Sequence, residues 1–130
     1  DRLSLEALPL SNELRDRALL LLDLRGKPAD VLQKVSALDL NDTERESVSD
    51  LKSLIELLQA SVDVRIVLDL SLIRTFDYYT GIVFEVVTQS GEIVLGQGGR
   101  YDRLLGQFHP QGDSIPGIGF SLQLENLHQV

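Results

Sequence analysis

Apolar residues recur through the first 60 positions at the spacing of three and four that places side chains on one side of a helix. Val48, Leu51, Leu54, Ile55 and Leu58 fall on one such face. Thr43 with Glu46 three residues later has the form of a capping box, which predicts a helix start near Thr43. Upstream, Leu14 to Leu24 reads as a helix stopped at Arg25-Gly26. Pro28 suits the first turn of a second helix carrying Val31, Leu32, Val35 and Leu38. Three helices are therefore predicted for the N-terminal half.

From Val62 the period becomes two: Val62, Val64, Ile66, Leu68 and Leu70 alternate with Asp63, Arg65, Val67 and Asp69, the pattern of a half-buried strand. Ile82 to Thr88 is a second predicted strand. Gln89 to Glu92 is a turn, and Ile93-Val94-Leu95 returns as a third strand, making a hairpin. Gly96, Gly98 and Gly99 are expected to end that strand, Tyr101 to Phe108 to form a helix, and Gly112 to Pro116 to be loop. A last strand follows at Gly117 to Leu122 and runs into a helix. The class predicted is α+β, with a helical region over 1–60 and a mainly antiparallel sheet over 61–130.

Composition separates the same two regions. All seven aromatic residues lie between Phe76 and Phe120, and nine of the ten glycines follow residue 80. With 130 residues, 43% of them hydrophobic and 25% charged, the chain has the size of one ordinary domain or two small lobes, which excludes disordered and collagen-like classes. A net charge of -8 argues against a sequence-independent grip on nucleic acid. The absence of cysteine removes disulfides, zinc-cysteine sites and thiol catalysis. His109 and His128, the two histidines, are too few for most metal clusters, so neither metal nor cofactor is expected. The longest uncharged apolar run, Ala18 to Leu22, falls far short of the roughly 20 residues of a membrane span, and a cytoplasmic protein is expected. A chain that opens at Asp1 and holds no methionine is read as a piece of a longer protein.

Three segments are dense enough in functional side chains to carry chemistry. Arg74 to Gly81 places an arginine, a carboxylate and two phenols within six residues; an extended backbone would let one tyrosine pack while its neighbour offers a hydroxyl, and a core aromatic cluster is the plainer alternative. Gly96 to Asp102 puts three glycines before Arg100 and Tyr101, a loop able to approach a ligand or present its amides to an anion, or merely a strand-ending turn. Its spacing fits neither a dinucleotide fingerprint nor a phosphate loop. Pro116 to Leu127 is a strand and helix that packing alone would explain. No Ser/His/Asp triad is defensible, and nothing fixes the distance between Glu85 and Asp102 as a carboxylate pair.

Taken in order, the three segments resemble the histidyl-tRNA synthetase group of class II synthetase-like proteins. There R-G-L-D-Y-Y-T-G-x-V-F-E precedes G-G-R-Y-D-x-L and then G-F-x-x-G-x-E-R, the third motif of the class. Arg74 to Glu85 departs at Thr75 and Phe76, Gly98 to Leu104 fits throughout, and Gly119, Phe120 and Glu125 hold their places. The resemblance covers 62–127 and implies that residues 61–130 are the C-terminal part of the class II core. Residues 1–60 would be an inserted region, and the first two motifs would lie upstream.

The departures in the third motif matter most. Gln123 and Asn126 stand where the group has glycine and arginine. The arginine clamps the triphosphate of ATP, and an amide cannot replace a permanent cation with paired donors. Losing it implies a degenerate ATP site and no catalytic residue. Such a protein is similar to the regulatory paralogues in the group, which look like a synthetase without its anticodon-binding domain. Those paralogues assemble, as homodimers within a hetero-oligomer, with the short-form catalytic ATP phosphoribosyltransferase, and histidine feeds back through the complex. Carried over, the resemblance implies an L-histidine site in which Arg74 meets the carboxylate, Tyr78 and Tyr79 line the pocket and Tyr101 closes it. Gly98, Gly99 and Arg100 would form the pocket loop. A histidine-tRNA ligase, favoured by Arg74 and opposed by Asn126, is the alternative; a non-enzymatic interaction module is the second. The charge disfavours tRNA as a partner.

Overall fold

Ser11 starts the first helix: its Oγ accepts from the Leu14 amide at 3.3 Å, satisfying a donor that a helix start leaves without a partner. The computed structural model describes residues 9–72 and 77–129, and the chain divides into two units, Asp1–Leu72 and Ile73–Val130. Among the described residues of the first unit, α1 spans Asn12–Leu22, β1 Arg25–Gly26, α2 Pro28–Ser36, α3 Asp42–Ser61 and β2 Leu68–Asp69. Pro28 occupies the first turn of α2, where its missing N–H costs nothing. The three predicted helices are present, although α2 ends before Leu38.

The cap of α3 lies two residues earlier than Thr43. Asn41 Oδ1 accepts from the Glu44 amide at 2.9 Å, and Glu44 Oε2 accepts from the Asn41 amide at 2.8 Å. Arg17 of α1 donates to that same carboxylate oxygen at 2.8 Å, so one acid caps α3 and ties α1 to its start. Asparagine serves the cap as well as serine or threonine, and Thr43 lies inside the helix with its carbonyl accepting from Ser47 Oγ. Leu24, Val31, Val35 and Leu40 form the buried core, with Leu21, Leu38, Val48, Leu68 and Leu70 packed around it. On α3 the predicted face turns inward at Val48, Leu51, Leu54 and Ile55, while Leu58 is exposed.

The strand predicted from Val62 is reduced to Leu68–Asp69. Alternation marks two faces but supplies no partner for the amides, and the only ladder available among the described residues is the two-residue β1, antiparallel with Arg25 opposite Asp69. Val62 and Val64, on the side predicted to be buried, stay exposed, so that face does not form over its first residues. The short ladder is reinforced by the Leu70 amide donating to the Leu24 carbonyl and by an Arg25–Asp69 ion pair at 3.3 Å.

In the second unit β3 (Val83–Val87), β4 (Val94–Tyr101) and β5 (Gly117–Leu122) form an antiparallel sheet with β4 in the middle. The hairpin is as predicted, with Gly91 at φ 80° in its turn. Two expectations change. The glycines do not end β4: Gly96, Gly98 and Gly99 lie inside it and pair with both neighbours. Tyr101 to Phe108 is not a helix, because Tyr101 completes β4 and only Leu105–Gln107 coils, as one 3-10 turn. A short helix, α4, follows β5 at Leu124–Leu127.

Two measurements check this packing. Leu24→Ala is expected to cost about 2 to 5 kcal/mol in urea unfolding, the usual range for truncating a buried leucine. The Asn41 amide, then Arg17, holds the Glu44 carboxyl below the usual carboxylate range. A lowered folded value stabilises above the unfolded value, and that contribution is lost as pH falls through the folded one. The gap in urea midpoint between the parent and Glu44→Gln is therefore expected to be full above pH about 4.3, the ordinary glutamate value, and to close below it.

Candidate functional site

Residues directly opposite each other in an antiparallel ladder share a face, so the pairing gives β3–β5 two unlike sides. Phe84 opposes Gly98, which opposes Phe120; Val86, Gly96 and Leu122 form the next row, and Arg100 opposes Ile118. That side is apolar and open, with Ile118 75% and Phe120 70% exposed. The other side carries Val83, Gly99 and Gly119 in one row, Glu85, Gln97 and Ser121 in the next, and Tyr101 opposite Gly117.

On this second side the chain brings all three tyrosines together. Tyr78 and Tyr79 have ring centroids 4.8 Å apart, Tyr101 lies edge-on to Tyr78 at 5.7 Å, and Tyr79 and Tyr101 are 6.5 Å apart. These are the tilted and edge-to-face separations that aromatic quadrupoles favour. Glycine makes the approach possible. A Cβ on Gly99 would stand 2.8 Å from the Tyr79 ring, one on Gly117 2.5 Å from Tyr101 and one on Gly119 3.1 Å from the Tyr101 hydroxyl. Tyr79 is buried, and burial, followed by its hydrogen bond with Tyr78, pushes its phenol above the ordinary tyrosine value.

Below the tyrosines the end of β4 is tied to the incoming chain. Both oxygens of Asp102 are engaged: Oδ1 accepts from Arg100 Nε and Oδ2 from Thr80 Oγ1, each at 2.9 Å. The Arg100 and Thr80 donors hold its carboxyl below the usual carboxylate range. The Thr80 oxygen in turn accepts from the Asp102 amide at 2.9 Å, and Ser114 Oγ donates to the Asp102 carbonyl. Sequence reasoning weighed Asp102 only against Glu85. The ladder sets Glu85 opposite Gln97, five residues from Asp102 and so about 16 Å away at the rise of a strand, and the two do not form a pair. The overlooked signal is Thr80, a hydroxyl one residue after the two tyrosines.

The other residues expected at the site are more scattered. Arg74 lies outside the described residues. Gly98, Gly99 and Arg100 are strand rather than loop, with their backbone inside the ladder, so they form no amide nest. Gln123 and Asn126 are at the opposite end of β4, where the Gln123 amide donates to the Leu95 carbonyl at 2.8 Å and Asn126 Nδ2 to the Val94 carbonyl at 2.7 Å. Leu95 and Tyr101 are six residues apart, about 20 Å along the strand. Asn126 therefore acts as a tether holding α4 to the sheet. Among the described residues no cluster of three metal-ligating side chains occurs, and no helix is long and apolar enough to cross a membrane.

A methyl at position 99 tests the cradle: Gly99→Ala is expected to displace the Tyr79 ring and cost about 1 to 3 kcal/mol, as overpacking usually does, measured by urea unfolding with near-ultraviolet circular dichroism.

Comparison with known proteins joins these observations. The family model described as histidyl-tRNA synthetase matches residues 2–127. A protein of Nostoc punctiforme called ATP phosphoribosyltransferase regulatory subunit is 61% identical over 132 residues, covering 100% of this chain and 33% of its own length. One of the same name from Synechococcus elongatus is 56% identical over 135 residues, covering 100% and 32%. The crystal structure of an ATP phosphoribosyltransferase regulatory subunit/histidyl-tRNA synthetase from Bacillus halodurans C superposes with a TM-score of 0.82 at 29% identity, covering 98% of this chain and 33% of that one. The chain thus spans about a third of the length of the curated relatives it matches. Because the family model spans nearly all of it, the chain belongs to the histidyl-tRNA synthetase family.

Proposed function

We propose that the chain is part of a non-catalytic regulatory subunit of ATP phosphoribosyltransferase, a cytoplasmic protein that senses L-histidine and activates the short-form catalytic subunit at the first step of histidine biosynthesis. The observation that carries this reading is Asn126. At the position where the synthetase group has an ATP-clamping arginine, this chain has an amide that donates to the Val94 carbonyl. A neutral group engaged with the backbone cannot stabilise charge developing on a triphosphate, and loss of a preorganised electrostatic group of that kind costs about 3 to 4 kcal/mol of transition-state stabilisation. The relatives called regulatory subunits support the same reading.

Histidine offers an imidazole and a carboxylate. An imidazole suits hydroxyl partners and an aromatic wall, which Tyr78, Tyr79 and Tyr101 supply, and the carboxylate suits a cation, the role assigned to Arg74. In this proposal Gln123 and Asn126 mark the degenerate ATP site, and the assembly is a homodimer within a hetero-oligomer. A second reading, histidine-tRNA ligase, is favoured by the double name of the Bacillus halodurans structure.

The deciding experiment uses the full-length parent: histidine-dependent ATP–pyrophosphate exchange, beside the activity of a short-form phosphoribosyltransferase with and without the protein. No exchange together with stimulated, histidine-inhibited transferase is the expected outcome; exchange activity establishes the ligase instead. In the same parent Tyr79→Phe keeps the ring and loses the hydroxyl, and the histidine concentration for half-inhibition is expected to rise about tenfold with little change in melting temperature. Unchanged feedback would remove Tyr79 from the site.

A further inference from the structure

We propose that Thr80 and Asp102 are a positioning pair that fixes the Tyr78–Tyr79 segment against Tyr101 and so sets the ligand affinity of the tyrosine cluster. The geometry stands by itself, and only the identity of the ligand, histidine, rests on the function proposed above. Thr80 is the junction at which the segment bearing two of the three tyrosines joins the sheet. Its amide donates to the Arg100 carbonyl at 3.0 Å, the Gly81 amide reaches the same oxygen at 3.3 Å, and the Arg100 amide donates back to the Ile82 carbonyl. Gly81 also lies flush on the stem of Arg100, since a Cβ there would be 3.2 Å from it.

The side chains lock this junction in both directions. The Thr80 hydroxyl donates to Asp102 and accepts from the Asp102 amide, while Arg100 occupies the other carboxylate oxygen. Tyr79 immediately precedes this lock on one strand of chain, and Tyr101 lies between Arg100 and Asp102 on the other. The rings of Tyr78 and Tyr79, 5.7 and 6.5 Å from that of Tyr101, are thus referenced to it through the backbone bonds of the junction and the two side-chain bonds between Thr80 and Asp102. Valine at position 80 matches threonine in shape but can neither donate nor accept, leaving the Asp102 amide and one carboxylate oxygen without this partner. Serine restores both bonds.

The test is made on the full-length parent by calorimetric titration with L-histidine. Thr80→Val is expected to bind about tenfold more weakly, the scale of losing a hydrogen bond to a charged group, and Thr80→Ser to bind like the parent. Equal binding by Thr80→Val and the parent overturns the positioning role and leaves the proposed function standing. Absence of binding in the parent overturns histidine as the ligand, and the positioning role is then decided by a second readout. The difference in tyrosinate absorbance between the parent and Tyr79→Phe isolates the Tyr79 phenol, which is expected to titrate above ordinary tyrosine. With Thr80→Val it is expected to fall back toward the ordinary value as the ring loosens, and an unmoved titration overturns the proposal whatever histidine does. Should Thr80→Val not fold, Asp102→Ala takes its place in both readouts: it removes both oxygens that accept from Thr80 and Arg100, and parent-like behaviour in it overturns the pairing.

Discussion

The second unit depends on there being no side chain at Gly98. A Cβ there would lie 2.7 Å from Phe120 Cβ and 2.8 Å from the Phe84 ring, and would run into the Gly119 carbonyl. Real Cβ atoms do not approach so closely, so any larger residue would force β3 and β5 away from the middle strand. The neighbouring positions of the sheet inherit that spacing: Gly99 receives the Tyr79 ring, Gly117 and Gly119 receive Tyr101, and Arg100 falls where it reaches Asp102. Glycine here supplies room rather than unusual dihedrals, since positive φ among the described residues is confined to Gly26, Gly91 and Gly112. The conformational freedom glycine loses in a strand is offset by three-strand pairing and by aromatic packing on both faces.

The first unit is held together differently. Its buried core is small, and the start of α3 is set by one carboxylate that accepts from a backbone amide and a guanidinium at once. That makes Glu44 a point at which helix initiation and helix–helix packing are coupled. A change there is felt by α1 through Arg17 as well as by α3 through Asn41.

An element is legible in the sequence to the extent that it depends on its own residues alone. Helices stabilised by their own periodicity and caps were readable, and the error of two residues at α3 arose because Asn41–Glu44 and Thr43–Glu46 are both plausible caps and only the approach of Arg17 selects the first. The hairpin and β5 were readable from β-branched and aromatic runs around Gly91 and Gly117. The strand from Val62 is shorter than its pattern, since alternation says nothing about whether a partner strand exists. The glycines of β4 lie inside the strand rather than ending it, and a glycine that makes room for a neighbour looks in sequence like one that turns the chain. The tyrosines were singled out, but that Tyr78, Tyr79 and Tyr101 converge on one face follows from the register of Tyr101 against Gly117, and the role of Asn126 as a tether depends on where α4 returns.

The apolar side of the sheet has a thermodynamic meaning of its own. Ile118, Phe120 and Leu122 are more than half exposed in these 130 residues, and Phe84 and Val86 somewhat less so, so this side of the sheet adds less newly hydrated apolar surface on unfolding than a covered face would. Heat capacity increments and denaturant slopes both scale with newly exposed surface. By itself the unit is therefore expected to unfold with a small heat capacity change and a shallow dependence on urea, with a stability curve broad and flat across temperature.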